Sequence, residues 1–178
     1  MSVVEKASHP DVAPSPITSG DSLRGALLWF ALTLGAAALG GLASSQAPEV
    51  YAQLVQPDWA PPPSVFGPVW SLLYGLMALA AWQVWRYRRT VSGATGLALY
   101  AVALVPNALW SWLFFNQRLG AWALVDLVVL WALIAFTVRS FWRVRPLFGA
   151  LLLPLWAWVS FAGVLNAMLW LANPVVLG

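Results

Sequence analysis

The chain has 178 residues, of which 61% are hydrophobic, 8% are charged and 13 are tryptophan. This length fits one domain, and so apolar a composition is unusual for a soluble one. The chain has no cysteine, which excludes disulfides, thiolate metal ligands and cysteine nucleophiles. The pI of about 9.8 comes from arginines beside apolar segments and does not indicate nucleic-acid binding.

In chain order, a polar segment comes first and five apolar runs follow. Residues 1–22 contain several prolines and few apolar side chains, which predicts a disordered tail. Each apolar run is close to the roughly 20 residues that cross a bilayer as a helix. The runs are 23–45, 65–85, 97–116, 119–138 and 147–171. Charges confined to their ends favour an all-α membrane protein over a soluble bundle. We predict a five-transmembrane-helix bundle at 23–173 and a short C-terminal tail at 174–178.

The cationic side chains are unevenly divided between the two ends of these spans. Arg118 lies at one end, and all other Lys and Arg residues lie at the opposite end. These are Lys6, Arg24, Arg86, Arg88, Arg89, Arg139, Arg143 and Arg145. Because Lys and Arg are enriched in cytoplasmic loops, the N-terminus is predicted inside and the C-terminus outside. A bacterial cell membrane is the expected location, with the mitochondrial outer membrane as the alternative.

The connection between the first two spans, residues 46–64, is longer than the others and lacks Lys and Arg. Its prolines, which fix φ and lack an N–H donor, are Pro57, Pro61, Pro62 and Pro63. Its apolar side chains are Tyr51, Leu54, Val55 and Trp59. A stiff amphipathic segment of this kind predicts a lid over the mouth of the bundle. The alternative is a loop that Trp59 anchors in the headgroups.

Small residues form strips at four-residue spacing, which lets helices approach closely in lipid. The first span carries the strips Ala36, Gly40, Ser44 and Ala37, Gly41, Ser45, and the third carries Ala94, Ala98 and Ala101. We expect one strip to pack within the bundle and another to form a homodimer. The pattern leaves open which strip does which.

The tryptophans divide by their depth in the spans. Those near the predicted interfaces, where belt anchoring is expected, are Trp29, Trp82, Trp85, Trp142, Trp122 and Trp170. Those at deeper or intermediate positions are Trp110, Trp112, Trp131, Trp156 and Trp158. Two helical faces combine such a ring with an amide. They are Asn107, Trp110, Phe114 on the third span and Trp158, Ala162, Leu165, Asn166 on the fifth. A pocket for a flat ligand and ordinary core packing both fit this pattern.

Few polar groups lie inside the spans. Asp126 should face protein and pair with an amide, a hydroxyl or an indole N–H, while Asn107 and Asn166 are expected to bridge helices. No catalytic constellation or metal site is recognisable, because the one histidine is His9 in the tail. A haem iron would have only Met77 or Met168 as an axial ligand within the bundle, so a porphyrin would be held by stacking and shape.

Three blocks rich in aromatic side chains and proline follow one another along the chain. The first contains Tyr51, Leu54, Pro57, Trp59, Pro61, Pro62, Phe66, Trp70 and Tyr74. The second is NALWSWLFF at 107–115, and the third is PLWAWVSFAGVLN at 154–166. Together with the segment WALVDL at 122–127, these blocks resemble the TspO/MBR family of tryptophan-rich sensory and translocator proteins. The likeness runs from the first span to Asn173.

The resemblance implies a five-helix bundle, commonly dimeric, that binds porphyrins, sterols and synthetic aromatic ligands beneath its first loop. Carried over residue by residue, the pocket comprises Phe66, Gly67, Val69, Trp70, Trp110, Ala162 and Leu165, with Trp158 and Asn166 beside it. We also predict that Trp59 of the first loop and Asn107 of the third span contact the ligand. Some bacterial relatives degrade protoporphyrin in light, and Trp70 and Trp158 match the tryptophans that this needs. We expect no cofactor other than porphyrin or haem as the ligand.

The chain departs from the family pattern where charge is concerned. Gln56 replaces the lysine before the loop proline, and Pro63-Ser64 replaces an Arg-Trp pair. A sterol motif is missing at 167–173, which has no Tyr, Lys or Arg. The expected function is a tetrapyrrole-binding membrane protein that acts as a sensor, carrier or scavenger. The alternatives are a light-dependent porphyrin-degrading enzyme and a modulator of other membrane proteins that needs no ligand.

Overall fold

The computed structural model describes residues 18–178. The predicted disordered tail, 1–22, lies outside the described residues as far as residue 17, with Lys6 and His9, and is wrong for Ser19 to Ser22, which belong to a helix. In chain order the helices are α1 (Ser19–Ala43), α2 (Ala47–Ala52), α3 (Phe66–Trp85), α4 (Val91–Ser111), α5 (Gly120–Val144), α6 (Pro146–Ala150) and α7 (Leu153–Ala172). The spans that contain α1, α3, α4, α5 and α7 are each long and apolar enough to cross a membrane. This confirms the predicted all-α bundle of five transmembrane helices.

Helix boundaries follow from local capping. Helix α1 begins at Ser19, before the apolar run starts, because Thr18 Oγ1 accepts the Asp21 N–H at 3.3 Å. Thr90 caps α4 in the same way and accepts the Gly93 N–H at 3.1 Å. Helix α5 continues past the predicted end at 138 as far as Val144. Arg143 lies in its last turn, where a positive charge interacts favourably with the helix dipole.

The long helices form a ring in the order α1, α3, α7, α5, α4. Helix α1 packs on α3 and α4, α5 packs on α4 and α7, and α7 closes the ring against α3. The two small-residue strips on α1 differ in burial. In the strip Ala36, Gly40, Ser44, the first two residues are buried. A Cβ at Gly40 would lie 3.8 Å from Ala108 Cα, so this strip packs on α4. Ala94 and Ala98 face outward on α4, and the homodimer stays a prediction.

The two ends of the bundle differ in charge. Seven arginines lie at one end, where the Arg88 guanidinium pairs with Asp21 and Ser140 Oγ donates to the Ser92 carbonyl. We call this the arginine-rich end. The opposite end carries Arg118 and α2, and we call it the loop end.

The prediction that Trp29 anchors the protein in the membrane interface is wrong. Its side chain is 5% exposed and packs edge-on against Trp85 and Tyr100, with ring centroids 6.3 and 5.5 Å away. It shares a buried face of α1 with Thr33, which explains its position. Trp131, which lies at a deep position along its span, is 41% exposed on the outside of the bundle, and its N–H donates to Ser160 Oγ.

Candidate ligand-binding site

A cavity lies at the loop end, between α1, α3 and α4 and beneath α2. Its volume is about 300 Å³. Helix α1 contributes small side chains, α3 and α4 contribute aromatic rings, and the segment that contains α2 covers it. The lining residues are Ala37, Gly40, Gly41, Ser44, Ala47, Pro48, Tyr51, Pro63, Phe66, Gly67, Trp70, Tyr74, Asn107, Trp110, Ser111 and Phe115.

A second, much smaller gap of about 20 Å³ lies on the α7 side of the same rings. Phe66, Trp70 and Trp110 line both spaces and therefore form the wall between them. The face of α7 that the sequence singled out lines the smaller gap. Its members there are Trp158, Ala162, Leu165 and Asn166.

The predicted site residues are thus divided between three places. Phe66, Gly67, Trp70, Asn107 and Trp110 line the larger cavity. The four α7 residues reach it only through the aromatic wall. Two predicted residues line neither space. Val69 packs against the main hydrophobic core, and Trp59 is 47% exposed with its ring edge-on to Phe161 at 5.8 Å.

Both transmembrane asparagines bridge helices, as the sequence predicted. Asn107 Oδ1 accepts the Tyr74 hydroxyl from α3 at 2.6 Å. Asn166 Oδ1 accepts the Trp110 indole N–H at 3.1 Å, and its Nδ2 donates to the Gly120 carbonyl at 2.9 Å. These bonds fix the amide and ring orientations around the cavity.

Asn107 keeps one donor group without a partner. The residue is 4% exposed and lines the larger cavity, and its Nδ2 finds no acceptor among residues 18–178. A buried amide N–H without a hydrogen bond is costly, typically by about 1–3 kcal/mol. A ligand with an acceptor atom at this point would remove that cost.

The first connection covers the cavity, which agrees with the predicted lid. Helix α2 presents Val50 and Tyr51 inward, and Leu54 is buried as well. The Tyr51 hydroxyl donates to the Pro61 carbonyl at 3.2 Å, and its ring meets Phe66 edge-on at 5.6 Å. Burial raises the pKa of Tyr51 above its ordinary 10.0, so its hydroxyl stays neutral and remains a donor.

The cavity wall carries no ionisable acid or base apart from the tyrosines. None of the lining residues is Lys, Arg, His, Asp or Glu. Gln56, at the position where a lysine was expected, donates to the Tyr51 carbonyl at 2.6 Å and lies outside the cavity lining. The lining therefore suits an apolar body, and any ionised group of a ligand must lie beyond it.

Sequence reasoning missed the α1 wall of the cavity. Ala37, Gly41 and Ser44 line it at helical spacing. Their small size was assigned to helix packing or dimerisation, and small side chains are typical of both a tight contact and a void. Tyr51 and Tyr74 belonged to the family resemblance but not to the predicted pocket.

Asp126, which lies well inside the α5 span, has no identified role. It is buried, and its Oδ2 has no hydrogen-bond partner within residues 18–178, so the predicted partner is not found. It lines neither of the two spaces described above.

Sequence comparison agrees with this architecture. The TspO/MBR family matches residues 29–171. The translocator protein of Bos taurus is 38% identical over 127 residues, which are 70% of this chain and 75% of that protein. The tryptophan-rich protein TspO of Chlorobaculum tepidum is 36% identical over 157 residues, 83% of this chain and 98% of the relative. The protein CrtK of Rhodobacter capsulatus is 38% identical over 125 residues, 70% of this chain and 78% of CrtK. This integral membrane protein, with five spans and a covered aromatic cavity, belongs to the TspO/MBR family.

Proposed function

We propose that this protein binds a flat tetrapyrrole, a porphyrin or haem, in the cavity at the loop end and acts as a sensor, carrier or scavenger. The observation that carries the proposal is the cavity itself. It combines aromatic walls with one buried amide NH2 group, that of Asn107, whose Nδ2 has no partner within the described residues. Its volume of about 300 Å³ falls at the lower end of the roughly 300–1,000 Å³ of small-molecule sites.

The shape of the wall favours a planar ligand. Trp70 and Tyr74 of the larger cavity lie with their rings 5.4 Å apart and tilted by 31°. Trp110 of the shared wall stacks at 5.5 Å on Phe114, which lines the smaller gap. Flat π-systems pack well on such surfaces, with about 0.5–1.5 kcal/mol for each ring pair beyond the area buried. A macrocycle larger than the cavity would extend toward the α7 gap by displacing the shared wall of Phe66, Trp70 and Trp110.

The charged edge of a porphyrin needs a different environment. With no cation in the lining, the two propionates of protoporphyrin would lie in water near Gln56 and Trp59, both of which are exposed. The acceptors left for Asn107 Nδ2 would then be the imine-type nitrogens of a free-base macrocycle, approached from the face of the ring. Relatives named translocator protein and tryptophan-rich sensory protein support the carrier and sensor roles.

A titration with protoporphyrin IX tests the proposal. The protein is reconstituted in lipid nanodiscs, and binding is followed by porphyrin absorbance and by quenching of tryptophan fluorescence. Asn107→Ala should weaken binding about 2- to 10-fold, because one hydrogen bond contributes about 0.5–1.5 kcal/mol. The matched control is Asn116→Ala, since Asn116 is exposed and accepts only a 3.4 Å bond from Gln117. No saturable binding by the native protein would reject the proposal.

A light-dependent activity is the second candidate, because Trp70 lines both spaces and Trp158 lines the smaller one. Indole rings beside a porphyrin are placed to exchange electrons with its excited state. The same titration, run in the dark and under illumination, separates the two functions. Loss of porphyrin absorbance with a new product in the light alone would favour degradation, and a stable spectrum in both would favour binding without turnover.

A further inference from the structure

The side chain of Asn173, just past the end of α7, is bonded to the lid. Its Oδ1 accepts the Val55 N–H at 2.8 Å, and its Nδ2 donates to the Val55 carbonyl at 3.0 Å. The same Nδ2 donates to the Leu169 carbonyl at 2.8 Å, one turn back on α7. Asn173 is 7% exposed, so these bonds are shielded from solvent.

This amide fits the chemistry of the lid segment. An asparagine side chain offers one acceptor and two donors, and it can pair with a backbone N–H and C=O at once, as a neighbouring strand would. The segment that follows Val55 is rich in proline and cannot build a ladder of its own. Among the described residues, the other hydrogen bonds of 51–62 stay within 46–65, including Tyr51 to Pro61 and Gln56 to Tyr51.

The residues after Asn173 reinforce this attachment. They turn back across the loop end, where the Leu177 carbonyl accepts the Gly120 N–H at 2.9 Å. The Leu177 side chain is fully buried and belongs to the same apolar cluster as Tyr51 and Leu54 of the lid. The segment predicted as a short tail is therefore part of the cover of the bundle.

We infer that Asn173 is a positioning residue that holds the lid shut over the cavity. Asn173 lines neither space, so it acts on a ligand through Val55 and the rest of the lid. This rests on the proposed function, since a lid matters to binding only if the cavity takes a ligand. We call the hydrogen bonds between Asn173 and Val55 the clamp. Breaking the clamp should raise the dissociation rate of the ligand more than it changes the association rate, because most affinity changes among variants of one site are changes in dissociation rate.

The experiment measures the lid and the ligand separately. The chain has no cysteine, so Gln53→Cys, on the exposed part of the lid, gives a single site for a nitroxide label. Label mobility is compared without ligand in the native background, in Asn173→Ala and in Asn116→Ala. Dissociation and association rates of protoporphyrin IX are then measured by stopped-flow fluorescence without the label. Asn173→Asp is a second variant of nearly equal size that loses both donated bonds, for use if Asn173→Ala does not fold.

We expect Asn173→Ala to mobilise the label and to speed dissociation about 5- to 10-fold, with association changed less than about twofold. Asn116→Ala should match the native protein in both measurements. An unchanged label spectrum in a folded Asn173 variant would overturn the clamp, as would a mobile label with unchanged dissociation. If native protein binds no porphyrin, the proposed function fails, and the label alone decides whether Asn173 holds the lid.

Discussion

Replacing Gly41 by phenylalanine should fill the cavity from the α1 side without disturbing the helices. Ala37, Gly41 and Ser44 share one helical face, and all three line the cavity. A Cβ at Gly41 would have no other atom within 4 Å, so the new side chain meets no clash at its base. We expect Gly41→Phe to fold like the native protein and to compete with the ligand for space.

The size of the effect follows from the volumes. A cavity of about 150 Å³ holds benzene, so a phenyl ring would take about half of the roughly 300 Å³ present here. A ligand forced to share the remaining space is overpacked, which costs about 1–3 kcal/mol in protein interiors. Because about 1.4 kcal/mol is tenfold in Kd, porphyrin binding should weaken roughly 5- to 150-fold.

The matched control is Gly35→Phe. Gly35 lies on the same helix with no atom within 4 Å of its Cβ position, and it does not line the cavity. Both variants are reconstituted in nanodiscs, checked for helix content by circular dichroism, and titrated with protoporphyrin IX. Native affinity in Gly41→Phe, or equal losses in both variants, would refute the assignment of this cavity as the binding site.

Three further predictions test the aromatic wall, the charge of the site and its orientation. Trp158→Leu should weaken porphyrin binding a few-fold, since ring stacking contributes about 0.5–1.5 kcal/mol. Trp142→Leu, at the exposed arginine-rich end, should not, and equal losses in an absorbance titration would contradict the site. Binding should change little with ionic strength, while Gln56→Lys should tighten it by up to about 1 kcal/mol. A steep salt dependence in the native protein would point to the arginine-rich end instead. A cysteine at Gln53 should react with an impermeant reagent on intact cells, and labelling only after the cells are opened would reverse the predicted topology.

The sequence predicted the spans well because a membrane leaves few alternatives. Backbone groups in lipid must be paired within the chain, so an apolar run of sufficient length is a helix or does not cross. The position of a span in the sequence does not tell which of its faces points inward. Trp29 was assigned by depth alone, although it recurs at helical spacing with Thr33, Ala36 and Gly40, all of which are buried. The helical spacing of Trp29 with these residues therefore predicts its burial, whereas its depth in the span does not.

The site was harder to predict, because its walls come from segments with little pattern. The aromatic wall followed from the family resemblance and from the spacing on the third and fifth spans. The α1 wall did not, because a small residue beside a void is indistinguishable in sequence from one beside a neighbouring helix. Leu177 follows Pro174 in a segment too short for any periodicity, yet it is fully buried. Its burial depends on the position of the end of α7 relative to the other helices, and that position is set by the packing of the whole bundle.

Two glycines of α1 show why the cavity lies at the loop end of the α1–α3 contact. At the arginine-rich end, a Cβ on Gly25 would lie 2.1 Å from Trp85 Cδ1, so glycine there allows an indole to close the gap between α1 and α3. At the loop end, Gly41 leaves its space open. The same residue type thus makes one end of the α1–α3 contact dense and the other hollow. Because packed side chains resist displacement far more than a loop held by a few hydrogen bonds, a ligand should enter by moving the lid. The inferred clamp at Asn173 would then set the residence time of the ligand.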